Sequence, residues 1–184
     1  TANPEQGANL ASFQQALQQL GWTAGRNVQV DIRWAGGDAR EIRRHVGELV
    51  ALVPDVILAT GTAGMAPLLQ ATRTIPIVYN NVADPVGAGF VKSLARPGGN
   101  ATGFIQFEYS LSAKWLETLK EIAPSLTRVA VLRDAAITSG IGQFAVIQSV
   151  ASSLRVETSA IDVRDAGEIE SDIADFARTG HGGL

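Results

Sequence analysis

The stretch Asp55-Val56-Ile57-Leu58-Ala59-Thr60-Gly61-Thr62-Ala63-Gly64 contains the clearest fold signal in the sequence. Its first six residues form an almost continuous apolar run, which is typical of a parallel strand that is covered on both faces. The Gly-Thr-Ala-Gly segment predicts a turn into a helix, which we expect to continue to about Thr72. The strand-turn-helix unit predicts an α/β protein.

The same pattern repeats immediately downstream. Residues 75–79 predict a second strand, residues 80–85 a polar loop, and the residues that follow a helix carrying Phe90 and Leu94. Arg96-Pro97-Gly98-Gly99-Asn100 predicts a turn that leads into a brief strand. Two βα units therefore stand in succession.

Upstream, three elements are expected. A helix should begin with Asn3 as its N-cap and end at Gly21, and alternation of apolar and polar residues over 28–34 predicts an edge strand. Asp38 can cap a helix that Pro54 terminates. The expected buried stripe of that second helix is Ile42, Val46, Leu49 and Val53.

Further helices and strands alternate to the end of the chain. The pattern predicts helices at 110–123, 141–153 and 166–178, and strands at 128–132 and 155–161. Trp115, Phe144 and Phe176 lie on helical apolar stripes and are assigned to the core. Alternation at this spacing predicts parallel sheets with right-handed connections. We place the lobe boundary after Ile105, which gives lobes 1–105 and 106–184.

Composition excludes several classes of protein. The 184 residues are 46% hydrophobic and 18% charged, so the chain can bury a core and is not disordered. A net charge of -3 with scattered basic residues argues against nucleic acid as a partner. The sequence has no Cys, and its two His residues, His45 and His181, lack ligand-spaced partners. We therefore expect no metal site, no cofactor and no catalytic triad.

Three loops are candidate ligand sites, because ligands of open parallel sheets bind beyond the carboxyl ends of the strands. Hydroxyls and backbone N–H groups at the first loop suit a small anion, and a carboxylate with amides at the second suits an ammonium group. Each loop could instead only cap the helix after it. The candidate residues are Thr60, Gly61, Thr62 and Ala63 in the first loop, Tyr79, Asn80 and Asp84 at the second, and Asp134, Thr138 and Ser139 in the third.

Aromatic residues close to these loops could form a wall for an apolar ligand group. They are Trp34, Tyr79, Phe107 and Tyr109. By default each is assigned to the core.

Several segments together resemble the ABC transporter substrate-binding proteins whose characterised members bind tryptophan or phenylalanine. They are 13–22, 25–28, Ala59-Thr60-Gly61-Thr62, Ile75-Pro76-Ile77-Val78, Ala83-Asp84-Pro85-Val86-Gly87 and Leu94-Ala95-Arg96-Pro97-Gly98-Gly99-Asn100-Ala101-Thr102-Gly103. The resemblance covers nearly the whole chain. It implies two doubly wound parallel-sheet lobes of the type I periplasmic binding fold. The lobes would close over a solute between the candidate loops, with 103–107 as a crossing strand.

The resemblance also implies segments that this sequence lacks at both ends. Family members have a strand before the position of Thr1, and after Leu184 they continue through the second lobe and return to the first. We therefore expect a fold that is incomplete at both ends. Either another chain covers the exposed faces, by homodimer formation or a domain swap, or the whole protein is larger.

The function implied is that of the solute-binding component of an ABC importer. Such a component binds an amino acid without chemical turnover and delivers it to a permease in the inner membrane. The resemblance implies a periplasmic location, with a signal peptide outside these residues. The alternative is the ligand-sensing domain of a transcription regulator, which shares the fold. A third hypothesis is a small α/β enzyme that uses Asp84 as a base.

Overall fold

The structure is a computed structural model that describes residues 4–163, 165–178, 180 and 182–183. In chain order the elements are α1 (Pro4–Gln19), α2 (Ala39–Ala51), β1 (Ile57–Thr60), α3 (Met65–Ala71), β2 (Ile77–Val82), β3 (Ala101–Ile105), α4 (Leu111–Ile122), β4 (Arg128–Arg133), α5 (Thr138–Ala151), β5 (Glu157–Asp162), α6 (Ala166–Ala177) and β6 (Gly182–Gly183). They form two compact units, Thr1–Asp55 and Val56–Leu184.

The first unit contains α1 and α2. Asp38 caps α2 as predicted, because its carboxylate accepts hydrogen bonds from the backbone N–H groups of Arg40 at 2.7 Å and Glu41 at 3.1 Å. These bonds favour the ionised form and lower the pKa of Asp38. The N-cap predicted at Asn3 lies outside the described residues.

Two predictions for this unit are wrong. Residues 29–34 form no strand, and Val28 makes only an isolated bridge to Ala24. Their burial still alternates as predicted, but a strand needs a neighbour, and no described segment pairs with them. Val53 is 78% exposed, because α2 ends at Ala51 and Val53 leaves the helix in a left-handed conformation with φ +49°.

The first sheet of the second unit has the order β1-β2-β3, and all its strands are parallel, as predicted. Ile57, Ile77 and Tyr79 are buried in its core. The prediction that β1 is covered on both faces is wrong. Burial along β1 alternates, and Leu58 is 43% exposed while Phe104 of β3 is 75% exposed.

The segment after β2 also differs from its prediction. Asn80 and Asn81, expected in a loop, belong to β2, since Asn80 pairs in register with Thr60 of β1. The helix expected around Phe90 and Leu94 is absent, and the chain makes successive turns there. Gly89 in a left-handed conformation, φ +74°, interrupts the helical geometry.

The Arg-Pro-Gly-Gly-Asn turn lies at the amino end of β3. The Asn100 side chain donates hydrogen bonds to the carbonyls of Ile75 at 2.8 Å and Thr72 at 3.3 Å, and the backbone carbonyl of Asn100 accepts from Ile77 N–H at 2.8 Å. Asn100 therefore fastens β3 to the loop that enters β2. This role is structural and lies at the end of the sheet opposite Thr60.

The second sheet has the order β5-β4-β6 and is also parallel. Its core includes Leu116 of α4, Val129 of β4 and Ile147 of α5. The predicted helices and strands are present, and β6 is an addition. The main shift is α5, which begins at Thr138 instead of 141.

Of the three aromatic residues assigned to this core, Phe144 is confirmed as buried, at 8% exposure. Trp115 is 46% exposed and meets Phe107 edge to face at 5.8 Å, so its assignment is wrong. Phe176 is half-buried under the Arg128 guanidinium, which lies 4.5 Å from the ring centroid.

Along the sequence, residues 106–127 separate the strands of the first sheet from those of the second. The predicted lobe boundary at 105/106 lies at the start of this separating segment. The compact units divide the chain elsewhere, after Asp55, so the lobe boundary stays a prediction. No helix in the described part of the chain is both long enough and apolar enough to cross a membrane.

Candidate functional site

The first candidate loop follows β1 and is joined to the second by hydrogen bonds. Gly61 N–H donates to the carbonyl of Asn80 at 3.0 Å, and the Thr62 hydroxyl accepts from Ala83 N–H at 3.2 Å. The residue that caps α3 is Gly64, which offers no side chain, so neither Thr60 nor Thr62 caps this helix. Thr62 therefore links two strand ends.

Asp84 is bound to the chain's own backbone through three hydrogen bonds. Its N–H donates to the carbonyl of Phe107 at 2.8 Å, Oδ1 accepts from Gly87 N–H at 2.7 Å, and Oδ2 accepts from Tyr109 N–H at 3.1 Å. The carboxylate caps a turn rather than the expected helix, and it anchors the segment that crosses towards the second sheet.

The lack of space around position 87 explains why the Asp-Pro-Val-Gly motif ends in glycine. A Cβ atom built on Gly87 would lie 2.6 Å from Asp84 Oδ2 and 2.8 Å from its Cγ. Carbon atoms do not approach that closely without displacement. Any side chain at position 87 would therefore push the Asp84 carboxylate out of its hydrogen bonds.

Two of the candidate binding residues, Tyr79 and Asn80, lie on β2, and each has buried side-chain atoms. Tyr79 is 1% exposed, and burial raises the pKa of its phenol. The Asn80 Oδ1 atom is buried and has no hydrogen-bond partner among the described residues. Buried polar atoms are normally paired, so Asn80 offers an unused acceptor at the carboxyl end of the first sheet.

Tyr109 connects the loops of the two sheets. Its backbone is held by Asp84, and its ring packs directly on Gly142 of α5, where even a Cβ atom would collide with it. Its hydroxyl lies beside Thr138. Burial raises the pKa of Tyr109, the Thr138 hydroxyl lowers it in part, and the charge of Asp84 raises it further.

The sequence reasoning missed this role of Tyr109. It was assigned to the core by default, and its 7% exposure agrees with that. Nothing in its residue type marks it as a junction. The available signal was its place next to the expected crossing strand 103–107, at the point where a first-sheet loop and a second-sheet helix must approach.

Because α5 begins three residues before its predicted start, the third candidate loop lies partly before the helix and partly in its first turn. Thr138 is the first residue of α5 and faces Tyr109, and its Oγ1 atom is buried. Asp134 and Ser139 line a cavity of about 520 Å³ in the second sheet's half, together with Phe144 and Arg133. Asp134 Oδ1 also accepts a hydrogen bond from Ala136 N–H at 2.8 Å.

The structure thus brings Asp84 to the backbone of Tyr109 and Thr138 to its hydroxyl. It also joins Thr60 and Gly61 to Asn80, and Thr62 to Ala83, while Ala63 follows in the same turn. Asp134 and Ser139 face a different space from Thr138. No cluster of three metal-ligating His, Asp or Glu side chains occurs in the part of the chain that the structure describes.

Parallel sheets with polar loops at their carboxyl ends, joined by a crossing segment, define a protein of the type I periplasmic binding fold. A profile of the family described as "ABC transporter substrate binding protein" matches residues 3–182. The chain belongs to this family.

Individual relatives agree with this assignment. A "Tyrosine-binding protein" of Clostridioides difficile (strain R20291) is 34% identical over 120 residues, which are 65% of this chain and 34% of the relative. A conserved domain protein of Vibrio cholerae is 26% identical with a TM-score of 0.78, over 91% of this chain and 56% of that one.

A third relative shows the fold alone at 22% identity. It is the ABC domain of Streptococcus pneumonia in complex with L-Trp, with a TM-score of 0.78 over 97% of this chain and 60% of that chain. The present chain therefore spans between about a third and three fifths of the length of these three relatives.

Proposed function

We propose that the protein is the solute-binding component of an ABC importer. It binds an amino acid between the loops of its two sheets, outside the cytoplasm, and delivers it to a membrane permease without chemical turnover. The observation that carries the proposal is the position of Tyr109. Loops from both sheets, at Asp84 and at Thr138, meet on this one residue.

The two relatives with named ligands support an amino acid as the solute. One is called tyrosine-binding, and the other was crystallised with L-Trp. Both ligands are zwitterions with an aromatic side chain. A zwitterion needs donors for its carboxylate and acceptors for its ammonium group, and the loops offer N–H groups and hydroxyls together with the Asn80 amide and the Asp84 carboxylate.

The bonds of Asp84 argue against its use as a catalytic base. Both carboxylate oxygens already accept backbone hydrogen bonds, and protonation of either oxygen would weaken the bonds that hold the turn and the crossing segment. Each oxygen still has a second lone pair, so Asp84 can accept a further hydrogen bond from an ammonium group. Binding is therefore the better use of this residue.

The test is isothermal titration of the full-length natural protein with L-tryptophan, L-tyrosine, L-phenylalanine and L-leucine, with glucose as an uncharged control. We expect at least one amino acid to bind and glucose not to bind. The absence of heat from all four amino acids would contradict the proposed ligand class.

Delivery to a permease is tested separately by uptake of the labelled amino acid in cells that lack the gene. Loss of uptake supports transport. Unchanged uptake, with altered transcription of neighbouring genes, would support the sensing-domain alternative instead.

A further inference from the structure

The start of α5 lacks the cap that a helix of this length usually has. α5 runs for 14 residues from Thr138, and the residue at its N-cap position is Ile137, whose side chain cannot accept a hydrogen bond. The first N–H groups of a helix have no partner within the helix, and together they carry a partial positive charge. The first turn of α5 therefore lacks the side-chain acceptor that a capping residue would provide.

Two hydroxyl groups beside this turn are also unused. Tyr109 Oη and Thr138 Oγ1 are both buried, and neither has a hydrogen-bond partner of acceptable geometry among the described residues. Tyr109 is only 7% exposed. A buried polar group without a partner is energetically costly, so two buried, unpaired hydroxyls beside one helix start mark a place where a bound group supplies the missing partners.

The unused groups specify the chemistry of that partner. N–H groups donate only, and a hydroxyl donates one hydrogen bond, so the site calls for a group with several acceptor oxygens, such as a carboxylate. No described acid of this chain is hydrogen-bonded to the first turn. Asp134 bonds to Ala136 before the helix, and Asp84 bonds to Gly87 and to the backbone of Tyr109.

The nearby acids also limit which anion is suitable. Asp84 is close enough for its charge to act on the Tyr109 phenol, and Asp134 precedes α5 by four residues. Their negative charges oppose the binding of a simple anion. A zwitterion carries an ammonium group that offsets this repulsion, so an amino acid fits better than acetate or phosphate.

We propose that the first turn of α5, with the hydroxyls of Tyr109 and Thr138, binds the α-carboxylate of the amino acid. This inference rests on the proposed function and adds the orientation of the ligand. It moves the anion site from the Thr60–Ala63 loop to the second sheet. The first loop precedes α3, which has only seven residues, and its Thr62 hydroxyl is already joined to Ala83.

The experiment compares each amino acid with its carboxamide on the full-length protein by isothermal titration, using L-tryptophan and L-tyrosine and their amides. An amide keeps the ammonium group and the side chain but loses the negative charge. We expect the amide to bind at least about tenfold more weakly, since a hydrogen bond to a charged group is worth about 1.5–3 kcal/mol.

The variants Tyr109→Phe and Thr138→Val remove one hydroxyl each. Each should weaken binding of the acid about tenfold and binding of the amide much less, so that the preference for the acid shrinks. Thr138→Ser keeps the hydroxyl and should retain the preference. Ser149→Ala, at an exposed position of the same helix whose hydroxyl bonds to Val146, is the matched control and should change neither affinity.

The outcomes separate the two proposals. Binding of acid and amide with equal affinity, or an unchanged preference in both hydroxyl-deletion variants, would overturn the α5 site and leave amino acid binding in place. Failure of the unmodified protein to bind any amino acid would overturn both. Melting temperatures of the variants identify a general loss of folding, which would weaken acid and amide alike.

Discussion

The Asp84 carboxylate holds the backbone of Tyr109, which lies 25 positions further along the chain, through a hydrogen bond of 3.1 Å from the Tyr109 N–H to Oδ2. The backbone N–H of Asp84 also donates to Phe107, so the two segments are bound in both directions. The segment that crosses from the first sheet to the second is thereby fixed to the first. Because the Tyr109 ring packs on Gly142 of α5, the same residue also contacts the half of the unit that contains the second sheet.

The first prediction concerns the charge of Asp84. Asp84→Asn should lower the free energy of unfolding by about 1–2 kcal/mol, because one carboxylate oxygen becomes an NH2 group that faces a backbone donor. Urea denaturation measures the change. Asp172→Asn, at an exposed position of α6, is the control and should be nearly neutral. Equal stability of the two variants would show that the Asp84 bonds contribute nothing.

The second prediction concerns the space at Gly87. Gly87→Ala should destabilise the protein by about 1–3 kcal/mol, since the new methyl group must displace the Asp84 carboxylate. The matched control is Gly99→Ala, because a Cβ atom at Gly99 meets nothing within 4 Å. Thermal unfolding compares them. A Gly87→Ala variant as stable as the control would mean that Asp84 relaxes without cost.

The third prediction concerns backbone strain at Val53. This β-branched residue has φ +49° and is 78% exposed, so it suffers strain without gaining burial. Val53→Asn should raise the free energy of unfolding by about 1 kcal/mol, because Asn tolerates the left-handed region better. Val53→Ala keeps Cβ and should gain less. If neither variant were more stable than the unmodified protein, strain at Val53 would not limit its stability.

The fourth prediction concerns alkaline pH. The protein has two tyrosines, and burial raises the pKa of both Tyr79 and Tyr109 above the ordinary value of 10.0. An unfolded tyrosine ionises near pH 10, so the folded state keeps its full stability below that pH and loses it as pH rises towards the raised pKa values.

Tyrosinate absorbance and circular dichroism, followed together as pH rises, test this prediction. Absorbance should increase only where the folded signal is lost, and Tyr109→Phe should halve its amplitude. Titration of either phenol near pH 10 in a fully folded protein would contradict the burial of that phenol.

The sequence was sufficient for features that depend on local pattern. The cap at Asp38 and the parallel order of Ile57–Thr60 and Ile77–Val82 follow from residue type and periodicity. Predictions failed where a partner decides the structure. Residues 29–34 alternate like a strand but have no described neighbour, and Leu58 is apolar although one side of β1 is open.

The site was predictable only in part for the same reason. Asp84 and Thr138 are polar residues beyond strand ends, and a sequence reader can find such residues. The residues that Asp84 and Thr138 contact cannot all be inferred from the sequence. The bond from Asp84 to Gly87 is local, but Asp84 also bonds to the Tyr109 backbone and Thr138 lies beside the Tyr109 hydroxyl. Those two contacts arise only when segments 25 or more positions apart come together.

The Asn100 turn has a consequence for how this protein can diversify. Asn100 and Gly87 serve the scaffold, one at the far end of the first sheet and one beneath the crossing segment. Neither residue contributes to the hydroxyl and amide groups that we propose for ligand binding. Substitutions in the loops that we propose to bind the solute can therefore change the preferred ligand while the sheet and the crossing segment stay intact. Two proteins that share both motifs can then differ in what they bind.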